Sequence, residues 1–534
     1  MKLGAMQDWP LRVTRLIDHA EREHATREIV SARADGTMVR TNWKRLAHDA
    51  RRVAQALERF GIQKGDRVAT LAMNHDRHLV SWFGVIGAGA VLHTLNPRLF
   101  DDQLEYIVNH AEDRVLLYDA AFAPLVERMK PRWPTIEHYV CFDSDFDGWI
   151  EAEDGNYRWV EGDERDPCGL CYTSGTTGDP KGVLYEHRST VLHAMTVIAP
   201  DVFNVSGRSV MLPIVPMFHA NSWCIPYAAA IAGFKLVMCA DNRPERLCAL
   251  FDQEGVTHSA GVPTVWLAMI DHVERTGAPL SALEMVVIGG SAAPSATIRW
   301  LRDRGVRVNH LWGMTEMSPV GTVGVRPDDW DEMTDDEQVA YIGRAGRALF
   351  GVELRIVGDD GADLPRDGVT TGSLQTRGAA VVQRYFKQDQ DCIDRDSWFD
   401  TGDVAAIHPD GSLQITDRAK DVIKSGGEWI SSIELENAAM GCEGVAEAAA
   451  IGIPHPKWDE RPLLLIVPSE GSNPCEQMIR NHLSTRIPRW WQPDAIEFVP
   501  ELPHTATGKI SKKTLRDAYS TYAFAPESTG TRRA

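Results

Sequence analysis

The chain has 534 residues, of which 43% are hydrophobic and 25% are charged, and its formal net charge is −19. This length predicts a large domain plus at least one smaller domain, and the strong negative charge argues against a nucleic-acid-binding surface. The chain has neither an apolar N-terminal run behind a basic start nor an uninterrupted apolar stretch of about 18 residues, so we expect no signal peptide and no membrane span.

In the first part of the chain, helical patterns alternate with short apolar segments. The hydrophobic pattern predicts a helix over residues 43–60, strands over 68–73 and 90–95, a helix over 101–111 and a strand over 115–118. Further buried strands are predicted over 168–172 and 283–288, and the second of these ends in a pair of glycines. Such alternation is typical of parallel strands covered by helices, so we expect an α/β fold.

After residue 352 the pattern changes to strands and hairpins. Turn signals follow a strand over 352–357 and interrupt the segment 408–415. A separate small α+β unit is predicted at the C-terminal end, with helices over 432–440 and 476–485 and strands over 445–451 and 463–467. The short, charged segment 417–421 is a candidate hinge. We therefore predict a large N-terminal domain over 1–417, with layered αβ sheets and a β-rich subdomain, and a small domain over 418–534.

The segment 172–183 has the composition of a phosphate-binding loop. Glycines let a backbone bring its N–H groups close to an anion, hydroxyl groups can donate to phosphate oxygens, and a lysine adds a mobile positive charge. These features fall on Thr173, Ser174, Gly175, Thr176, Thr177 and Lys181. The loop follows the predicted strand 168–172, and ligands collect at the ends of such strands.

Four further segments carry residues suited to nucleotide chemistry. In 310–316, Thr315 can donate a hydrogen bond to a phosphate and Glu316 can hold Mg²⁺ between phosphate oxygens. The others are the segment 398–403, which ends in Asp403, the charged segment 417–429, and the segment 503–510, in which Lys509 follows a Thr-Gly pair. Each motif alone is modest, because short motifs recur by accident.

The order and spacing of these five segments resemble the adenylate-forming enzymes, which comprise acyl-CoA synthetases, luciferases and nonribosomal adenylation domains. The resemblance covers nearly the whole chain, and it implies that the small C-terminal domain is mobile. It also implies that Lys420 is the pivot of that domain and that Lys509 bridges the carboxylate and the α-phosphate during adenylation.

The resemblance further implies a nucleotide site. The ring of Trp312, which stands where relatives more often have tyrosine, would stack on the adenine. Asp403 would contact the ribose and Arg418 either the ribose or phosphate, while Lys424 and Trp429 would approach the nucleotide when the small domain swings in. The remaining residues of this site would be Gly290, Ser291, Ala292 and Gly313, together with the phosphate loop.

Among these enzymes the chain is most similar to fatty-acyl-CoA synthetases and 3-methylmercaptopropionyl-CoA ligases, through the segments 216–223, 289–294, 424–432 and 454–462. By this resemblance His219 lies beside the substrate carboxylate and Trp223 is a gate on the acyl tunnel. The acyl pocket would be completed by Val262, Gly289 and Gly290. Relatives commonly carry a tryptophan where this chain has Ala380. If this position faces the acyl pocket, the smaller side chain enlarges the pocket and a bulkier acid fits. If it faces a domain interface, the difference says nothing about the substrate.

The implied activity is an ATP-dependent, AMP-forming carboxylic acid–CoA ligase. It would act through an acyl-adenylate on a medium-chain fatty acid or a similar hydrophobic carboxylate, with 3-methylmercaptopropionate and arylalkanoates as alternatives. A luciferase-like oxygenase and a non-catalytic acyl or nucleotide sensor are remote alternatives. A nonribosomal adenylation domain is disfavoured, because the acyl-pocket segments show no acidic residue for an α-amine.

ATP, Mg²⁺ and coenzyme A are the implied cofactors and co-substrates. The nine cysteines are scattered, which favours the cytoplasm over an oxidising compartment. Fatty-acyl-CoA synthetases of this type are often dimers, so we expect a homodimer, with no nucleic acid among its partners and no membrane span.

Overall fold

The structure, a computed structural model, describes residues 4–173, 179–425, 428–505 and 509–524, with backbone alone for 428–429. In these ranges the α-helices, α1 to α15, are Val13–Glu23, Trp43–Arg59, Asp76–Gly87, Asp101–Ala111, Ala123–Met129, Phe146–Glu151, His187–Val197, Ile225–Ala232, Pro244–Glu254, Pro263–Thr276, Ser295–Arg302, Asp335–Gly343, Ser432–Met440, Glu476–Ser484 and Lys512–Ala518. Among them, none combines the length and the hydropathy that crossing a bilayer requires.

The β-strands of the same ranges, β1 to β24, are Glu28–Ala32, Met38–Asn42, Arg67–Leu71, Val91–Thr94, Asp113–Tyr118, His138–Cys141, Pro167–Tyr172, Gly182–Glu186, Val210–Pro213, Lys235–Cys239, His258–Gly261, Met285–Gly289, Arg307–Gly313, Val320–Val323, Arg347–Ala348, Val352–Val357, Gly372–Gly378, Phe399–Ile407, Leu413–Arg418, Ile423–Ser425, Glu428–Ile430, Val445–His455, Asp459–Pro468 and Ala495–Phe498.

The chain divides into two compact units. The first comprises residues 1–293, 297–354 and 376–399, and the second comprises 294–296, 355–375 and 400–534. The domain boundary between residues 417 and 418 concerns the motion of the small domain and stays a prediction.

Two large sheets form the framework of the first unit. A six-stranded sheet has the order β6-β5-β3-β4-β7-β8, with all neighbours parallel except β8, which is antiparallel to β7. A nine-stranded sheet has the order β15-β14-β13-β12-β11-β9-β10-β1-β2, in which the strands from β13 to β1 run parallel. One hydrophobic core joins a face of each sheet to α1, α2, α3, α7 and α8 between them. Helices also cover the outer faces, which gives alternating α and β layers.

Helix α2 shows how the sequence specifies these layers. The side chain of Asn42 accepts a hydrogen bond from the Arg45 amide and so caps the first turn. Apolar residues then recur at helical spacing and are buried from Trp43 to Leu57. The helix ends at Arg59, one residue before the predicted end, and Phe60 serves as its C-cap. The α/β fold class is therefore confirmed, with small differences at element ends.

The second unit contains an antiparallel hairpin and a five-stranded sheet. Strand β18 pairs with β19, at one end of a four-stranded sheet ordered β16-β17-β18-β19. In the other sheet β21, β20, β23 and β22 are consecutive neighbours, and β24 pairs with β23 in parallel. Helices α13 and α14 pack on this second sheet. Their bounds match the predicted helices to within one residue.

A buried ion cluster ties the C-terminal helix α15 to the rest of the second unit. Lys512 Nζ lies 2.8 Å from Glu436 Oε1 and also donates to the hydroxyl of Ser432. Asp417 accepts two bonds of 2.6 Å from the amide and hydroxyl of Ser432. Burial raises the pKa of Glu436 to about 6 even though Lys512 opposes the shift. Burial lowers the pKa of Lys512, but Glu436 and Asp417 more than offset it, so the net shift is upward.

Replacing Lys512 with methionine is expected to reduce the free energy of unfolding of this unit by about 3–5 kcal/mol, because it leaves the Glu436 carboxylate buried without its counter-charge. The loss should be smaller at pH 5 than at pH 8, since a protonated carboxyl group needs no counter-charge. Urea unfolding at the two pH values measures both effects. Lys513→Met is the matched control, because Lys513 is the adjacent lysine and is exposed. Equal losses of unfolding free energy in Lys512→Met and Lys513→Met would contradict the stabilising role of the ion cluster.

Candidate active site

Four neighbouring parallel strands of the first unit end at the same edge of the nine-stranded sheet. Strands β9, β11, β12 and β13 are adjacent, and their register brings the residues that follow each strand together. Gly261 is opposite Ile288, and Gly289 is opposite Leu311. This edge therefore collects the predicted site residues Val262, Gly289–Ala292 and Trp312–Glu316, together with the segment that carries His219 and Trp223.

Two of these positions leave little space for a side chain. A Cβ atom on Gly289 would lie 2.4 Å from Leu311 Cδ1, and one on Gly313 would lie 2.0 Å from the carbonyl oxygen of Pro319. The buried imidazole of His310 adds a link between the strand ends, since its two nitrogens lie 3.3 Å from the Ser291 carbonyl oxygen and 3.0 Å from that of Gly343. The loop 289–292 is thus held beside the end of β13.

Three predicted site residues in the segment from Trp312 to Glu316 are buried, whereas Gly313 and Met314 are half-buried. Trp312, Thr315 and Glu316 are each 8% exposed. The Tyr185 hydroxyl donates to the Thr315 carbonyl oxygen at 2.7 Å, and a second tyrosine, Tyr385, donates to Glu316 Oε1 at 2.9 Å. The backbone and the carboxylate of this segment are therefore both fixed by hydrogen bonds from neighbouring tyrosines.

The two ends of the phosphate-binding loop lie on the antiparallel strands β7 and β8. The Thr173 amide donates to the Lys181 carbonyl oxygen at 2.9 Å, which closes the base of the loop. Lys181 Nζ lies 4.8 Å from the centroid of the Tyr385 ring, so one tyrosine contacts both Lys181 and Glu316. The predicted residues Ser174, Gly175, Thr176 and Thr177 lie outside the described residues.

The segment after His219 adopts a left-handed turn. The five residues Ala220–Cys224 all have φ between +43° and +66°, although the segment contains no glycine. Each such residue costs about 1–2 kcal/mol relative to the right-handed conformation, so the surroundings must hold the turn in place. Trp223 is 5% exposed and belongs to the core between the two sheets, whereas His219 is half-buried.

Asn74 is one of the residues that hold this turn. Its side-chain nitrogen donates to the carbonyl oxygens of Pro213 at 3.2 Å and Val215 at 3.0 Å, and its oxygen accepts from the Met217 amide at 2.7 Å. The Ser222 hydroxyl donates to the same Val215 carbonyl oxygen at 2.9 Å. The Asn74 side chain therefore fixes the backbone between β9 and the turn, and the Ser222 hydroxyl attaches the turn to that backbone.

Three predicted site residues come together in the second unit. Arg418 Nε lies 2.7 Å from Asp403 Oδ1, and these residues are paired across strands β18 and β19. The residue Lys509 as a whole is exposed, but its ammonium group is buried. This burial lowers the pKa of the Lys509 ammonium group to about 8. Repulsion from the Arg418 guanidinium adds to this shift, and attraction by the Asp403 carboxylate opposes it. Lys509 therefore shares an electrostatic environment with both predicted ribose-binding residues.

The remaining predicted residues of this unit are exposed or partly described. Lys424 and Trp429 are register partners across β20 and β21; Lys424 is exposed, and the side chain of Trp429 lies outside the described residues. Lys420 is also exposed, and the amides of Ala419 and Asp421 on either side of it donate to the carbonyl oxygens of Gly402 and Arg418.

Sequence reasoning missed Tyr385 and Asn74. Tyr385 is 69 residues from Glu316 along the chain, and Asn74 is 139 residues from Pro213. Neither lies in a recognisable motif, and no local pattern relates either residue to its partner. The only sequence feature that pointed to a site role for Asn74 was its position, as a polar residue directly after the predicted strand 68–73.

Substituting Trp312 provides a direct test of the predicted adenine site. Loss of base–aromatic stacking in Trp312→Ala should weaken ATP binding by about 1–3 kcal/mol, which corresponds to a roughly 5- to 150-fold higher Kd. Trp312→Tyr retains an aromatic face and should stay within a few-fold of the original protein. Titration calorimetry measures the ATP affinity of both variants. Thermal unfolding of Trp312→Ala shows whether the cavity left by alanine destabilises the protein. Equal ATP affinity in Trp312→Ala and the original protein would contradict the assignment.

Comparison with known proteins identifies the family. A family model described as "AMP-binding enzyme" matches residues 17–386, and one described as "AMP-binding enzyme C-terminal domain" matches residues 434–509. The chain is 48% identical to a 3-methylmercaptopropionyl-CoA ligase of Ruegeria lacuscaerulensis, over 97% of this chain and 99% of that protein. It is 44% identical to a medium-chain-fatty-acid–CoA ligase of Ectopseudomonas oleovorans, over 97% of each chain.

The fold also matches a solved structure. The anthranilate CoA ligase AuaEII in complex with anthranoyl-AMP is 25% identical, with a TM-score of 0.85 over 96% of this chain and 99% of that chain. The chain therefore belongs to the AMP-binding enzyme family, as an AMP-forming acyl-CoA ligase that uses ATP, CoA and a carboxylic acid.

Proposed function

We propose that this ligase activates a medium-chain fatty acid or a similar hydrophobic carboxylate, and that the predicted site residues carry out its two half-reactions. One observation carries the assignment of the site. The Glu316 carboxylate and the Lys181 ammonium group contact the same residue, Tyr385, so one side chain joins a ligand for a cation to a positive charge for phosphate.

In the first half-reaction the substrate carboxylate attacks the α-phosphate of ATP and releases pyrophosphate. The phosphate-binding loop and Lys181 hold the phosphates, Thr315 donates a hydrogen bond to them, and Trp312 stacks on the adenine. His219 orients the substrate carboxylate. These residues bring the reacting atoms together, which is the main contribution that a protein makes to phosphoryl-type transfer.

Mg²⁺ is the metal that fits Glu316. The described residues contain no group of three or more His, Cys, Asp or Glu that could hold a metal. Mg²⁺ is commonly bound through one or two carboxylates plus substrate phosphates, so a single buried carboxylate beside a phosphate loop suits it. When bound, the ion supplies positive charge that neutralises the phosphate oxygens.

Lys509 stabilises the charge that develops between the carboxylate and the α-phosphate. Its environment supports this role, because burial removes solvent from its ammonium group and the Asp403 carboxylate favours the charged form of that group. Asp403 binds the ribose, and Arg418 contacts the ribose or phosphate. Lys424 and Trp429 approach the nucleotide from β20 and β21.

In the second half-reaction the thiol of CoA attacks the acyl-adenylate carbonyl and AMP leaves. We propose that a small domain over 418–534 rotates about the hinge 417–421, with Lys420 as the pivot, and removes Lys509 from the reaction centre. CoA then reaches the activated carbonyl. Each half-reaction would thus use its own arrangement of the same two domains.

The apolar surroundings of Trp223 support a hydrophobic acid. Trp223 is buried in the core of the first unit, and Val262 lies at the neighbouring strand end. The two relatives named above act on a medium-chain fatty acid and on 3-methylmercaptopropionate by their names, so both acids are candidates. The Ala380 carbonyl oxygen accepts from the Ser318 hydroxyl at 2.9 Å, two residues after Glu316. An arylalkanoate is a third candidate: it would fit the space of the missing indole if the Ala380 position faces the acyl pocket.

We also propose that the enzyme is a cytoplasmic homodimer. This proposal rests on the resemblance to fatty-acyl-CoA synthetases and on the scattered cysteines, eight of which are buried or half-buried and unpaired. Light scattering during size-exclusion chromatography measures the mass directly: a value near twice 59.3 kDa supports the dimer, and a value near 59.3 kDa contradicts it.

A panel of acids tests the proposed function. Pyrophosphate release and thioester formation are measured with ATP, Mg²⁺ and CoA for propionate, 3-methylmercaptopropionate, saturated fatty acids of increasing length and arylpropionates. We expect a maximum of kcat/KM among the medium-chain acids, since each methylene in an apolar pocket contributes about 10- to 200-fold. A maximum at 3-methylmercaptopropionate or an arylpropionate would replace the proposed substrate. Pyrophosphate release without a thioester would contradict the second half-reaction and favour an oxygenase.

A further inference from the structure

Tyr385 lies between two residues of the proposed phosphate and metal site. Its hydroxyl donates to Glu316 Oε1 at 2.9 Å, and the face of its ring lies 4.8 Å from Lys181 Nζ. The hydroxyl and the ring therefore contact different partners, and one side chain touches both the carboxylate and the ammonium group.

The backbone around Tyr385 is fixed to the same two segments. The Val382 amide donates to the Glu316 carbonyl oxygen at 2.8 Å, and the Phe386 amide donates to the Gly182 carbonyl oxygen at 2.8 Å. The Tyr385 ring also makes an edge contact with Phe399 and packs against a small core that includes Val183 and Tyr185. The side chain cannot shift without disturbing either Glu316 or the end of the phosphate-binding loop.

A hydrogen bond to one carboxylate oxygen fixes the rotation of the group and leaves the other oxygen in a defined direction. Mg²⁺ demands near-octahedral geometry, so the direction of a ligating oxygen matters. Hydrogen bonds that orient a metal ligand are commonly worth 10- to 100-fold in metal affinity. A lysine over an aromatic face is held more weakly, by about two- to five-fold in an equilibrium constant.

We propose that Tyr385 is a positioning residue that prepares the site for Mg-ATP, with its hydroxyl orienting Glu316 toward the metal and its ring holding Lys181 beside the phosphates. The inference rests on the proposed role of Glu316. It adds a residue that no sequence motif contains. It also assigns separate functions to the two parts of one side chain.

Two substitutions separate these functions. Tyr385→Phe removes the hydroxyl and keeps the ring, whereas Tyr385→Leu removes both. ATP binding is measured by titration calorimetry, without acid or CoA, over a range of Mg²⁺ concentrations and in EDTA. In Tyr385→Phe we expect the half-saturating Mg²⁺ concentration to rise about 10- to 100-fold while ATP affinity in EDTA stays unchanged. In Tyr385→Leu we expect an additional loss of about two- to five-fold in ATP affinity in EDTA.

The matched control is Tyr139→Phe. Lys130 Nζ lies 4.7 Å from the Tyr139 ring, so this tyrosine has the same kind of lysine contact. Tyr139 is on β6, at the opposite edge of the six-stranded sheet from β8, and its substitution should change neither measurement. A second control is Tyr385→Phe in a Glu316→Gln background, where the effect on Mg²⁺ should disappear if the hydroxyl acts through Glu316.

An unchanged half-saturating Mg²⁺ concentration in Tyr385→Phe would overturn the inference. An equal loss of ATP affinity with Mg²⁺ and in EDTA would also overturn it, because it would indicate a general structural role. These results are distinct from failure of the proposed function. A protein that binds Mg-ATP with the expected Tyr385 dependence but forms no thioester with any acid would retain the inference and lose the substrate proposal.

Discussion

Acyl-adenylate formation is expected to fall by about 10²- to 10³-fold when Lys509 is replaced by alanine, the usual effect of removing one group that stabilises transition-state charge. Thioester formation from supplied acyl-adenylate should stay close to that of the original protein, because Lys509 acts only while the carboxylate and the α-phosphate are joining. The two rates are measured separately, as pyrophosphate release without CoA and as thioester formation from purified acyl-adenylate.

Lys513→Ala serves as the control for this experiment, since it removes a nearby exposed lysine. Its two rates should match those of the original protein. Equal loss of both half-reactions in Lys509→Ala would refute the proposed role, and so would normal pyrophosphate release.

The lowered pKa of Lys509 also predicts a pH profile. Only the protonated ammonium group can stabilise the transferring phosphate, and its pKa in the free protein is about 8. The value of kcat/KM for ATP in adenylation should therefore fall above about pH 8, because this parameter reports groups of the free enzyme. In Lys509→Arg the fall should move to a much higher pH, since a guanidinium group stays protonated. An identical profile in Lys509→Arg would assign the titration to another group.

Replacing Lys420 with proline is expected to block the second half-reaction. Proline fixes φ near −65° and also restricts the preceding residue, so rotation of the backbone at this position is lost. If the small domain cannot turn, CoA and the acyl-adenylate are misaligned, and a misplacement of about 1 Å can already cost on the order of 10²-fold in rate. Adenylation should continue at a rate close to normal, measured as pyrophosphate release in a single turnover.

Lys420→Ala separates the hinge from the loss of a charge. It removes the same ammonium group but leaves the backbone free to rotate, so thioester formation should be nearly normal. Normal thioester output from Lys420→Pro would contradict the hinge assignment, and equal losses in the two variants would assign the effect to the side chain.

The layers of the first unit could be predicted from the sequence because their information is local. Apolar segments such as 115–118 and the capped helix α2 carry their own periodicity, and parallel strands place the residues that follow them at one edge. The order of the nine strands could not be predicted in this way. It depends on pairings such as that of β1 with β10, more than 200 residues apart along the chain.

The candidate site was predictable where it lies in contiguous motifs, as for Trp312–Glu316. It was not predictable where a single side chain joins distant segments, as Tyr385 and Asn74 do. The turn after His219 escaped prediction for a different reason. Positive φ angles are inferred from glycine or asparagine, and Asn221 alone among the five residues of the turn gives that signal.

That left-handed turn has a consequence for engineering the acid selectivity of this enzyme. Five left-handed residues at about 1–2 kcal/mol each store roughly 5–10 kcal/mol, as much as the net stability of many domains. β-Branched side chains at Ala220–Cys224 would raise this cost most, whereas glycine would lower it. Libraries that test the proposed acyl pocket should vary Val262 and Ala380 instead, and leave the turn and its anchor Asn74 intact.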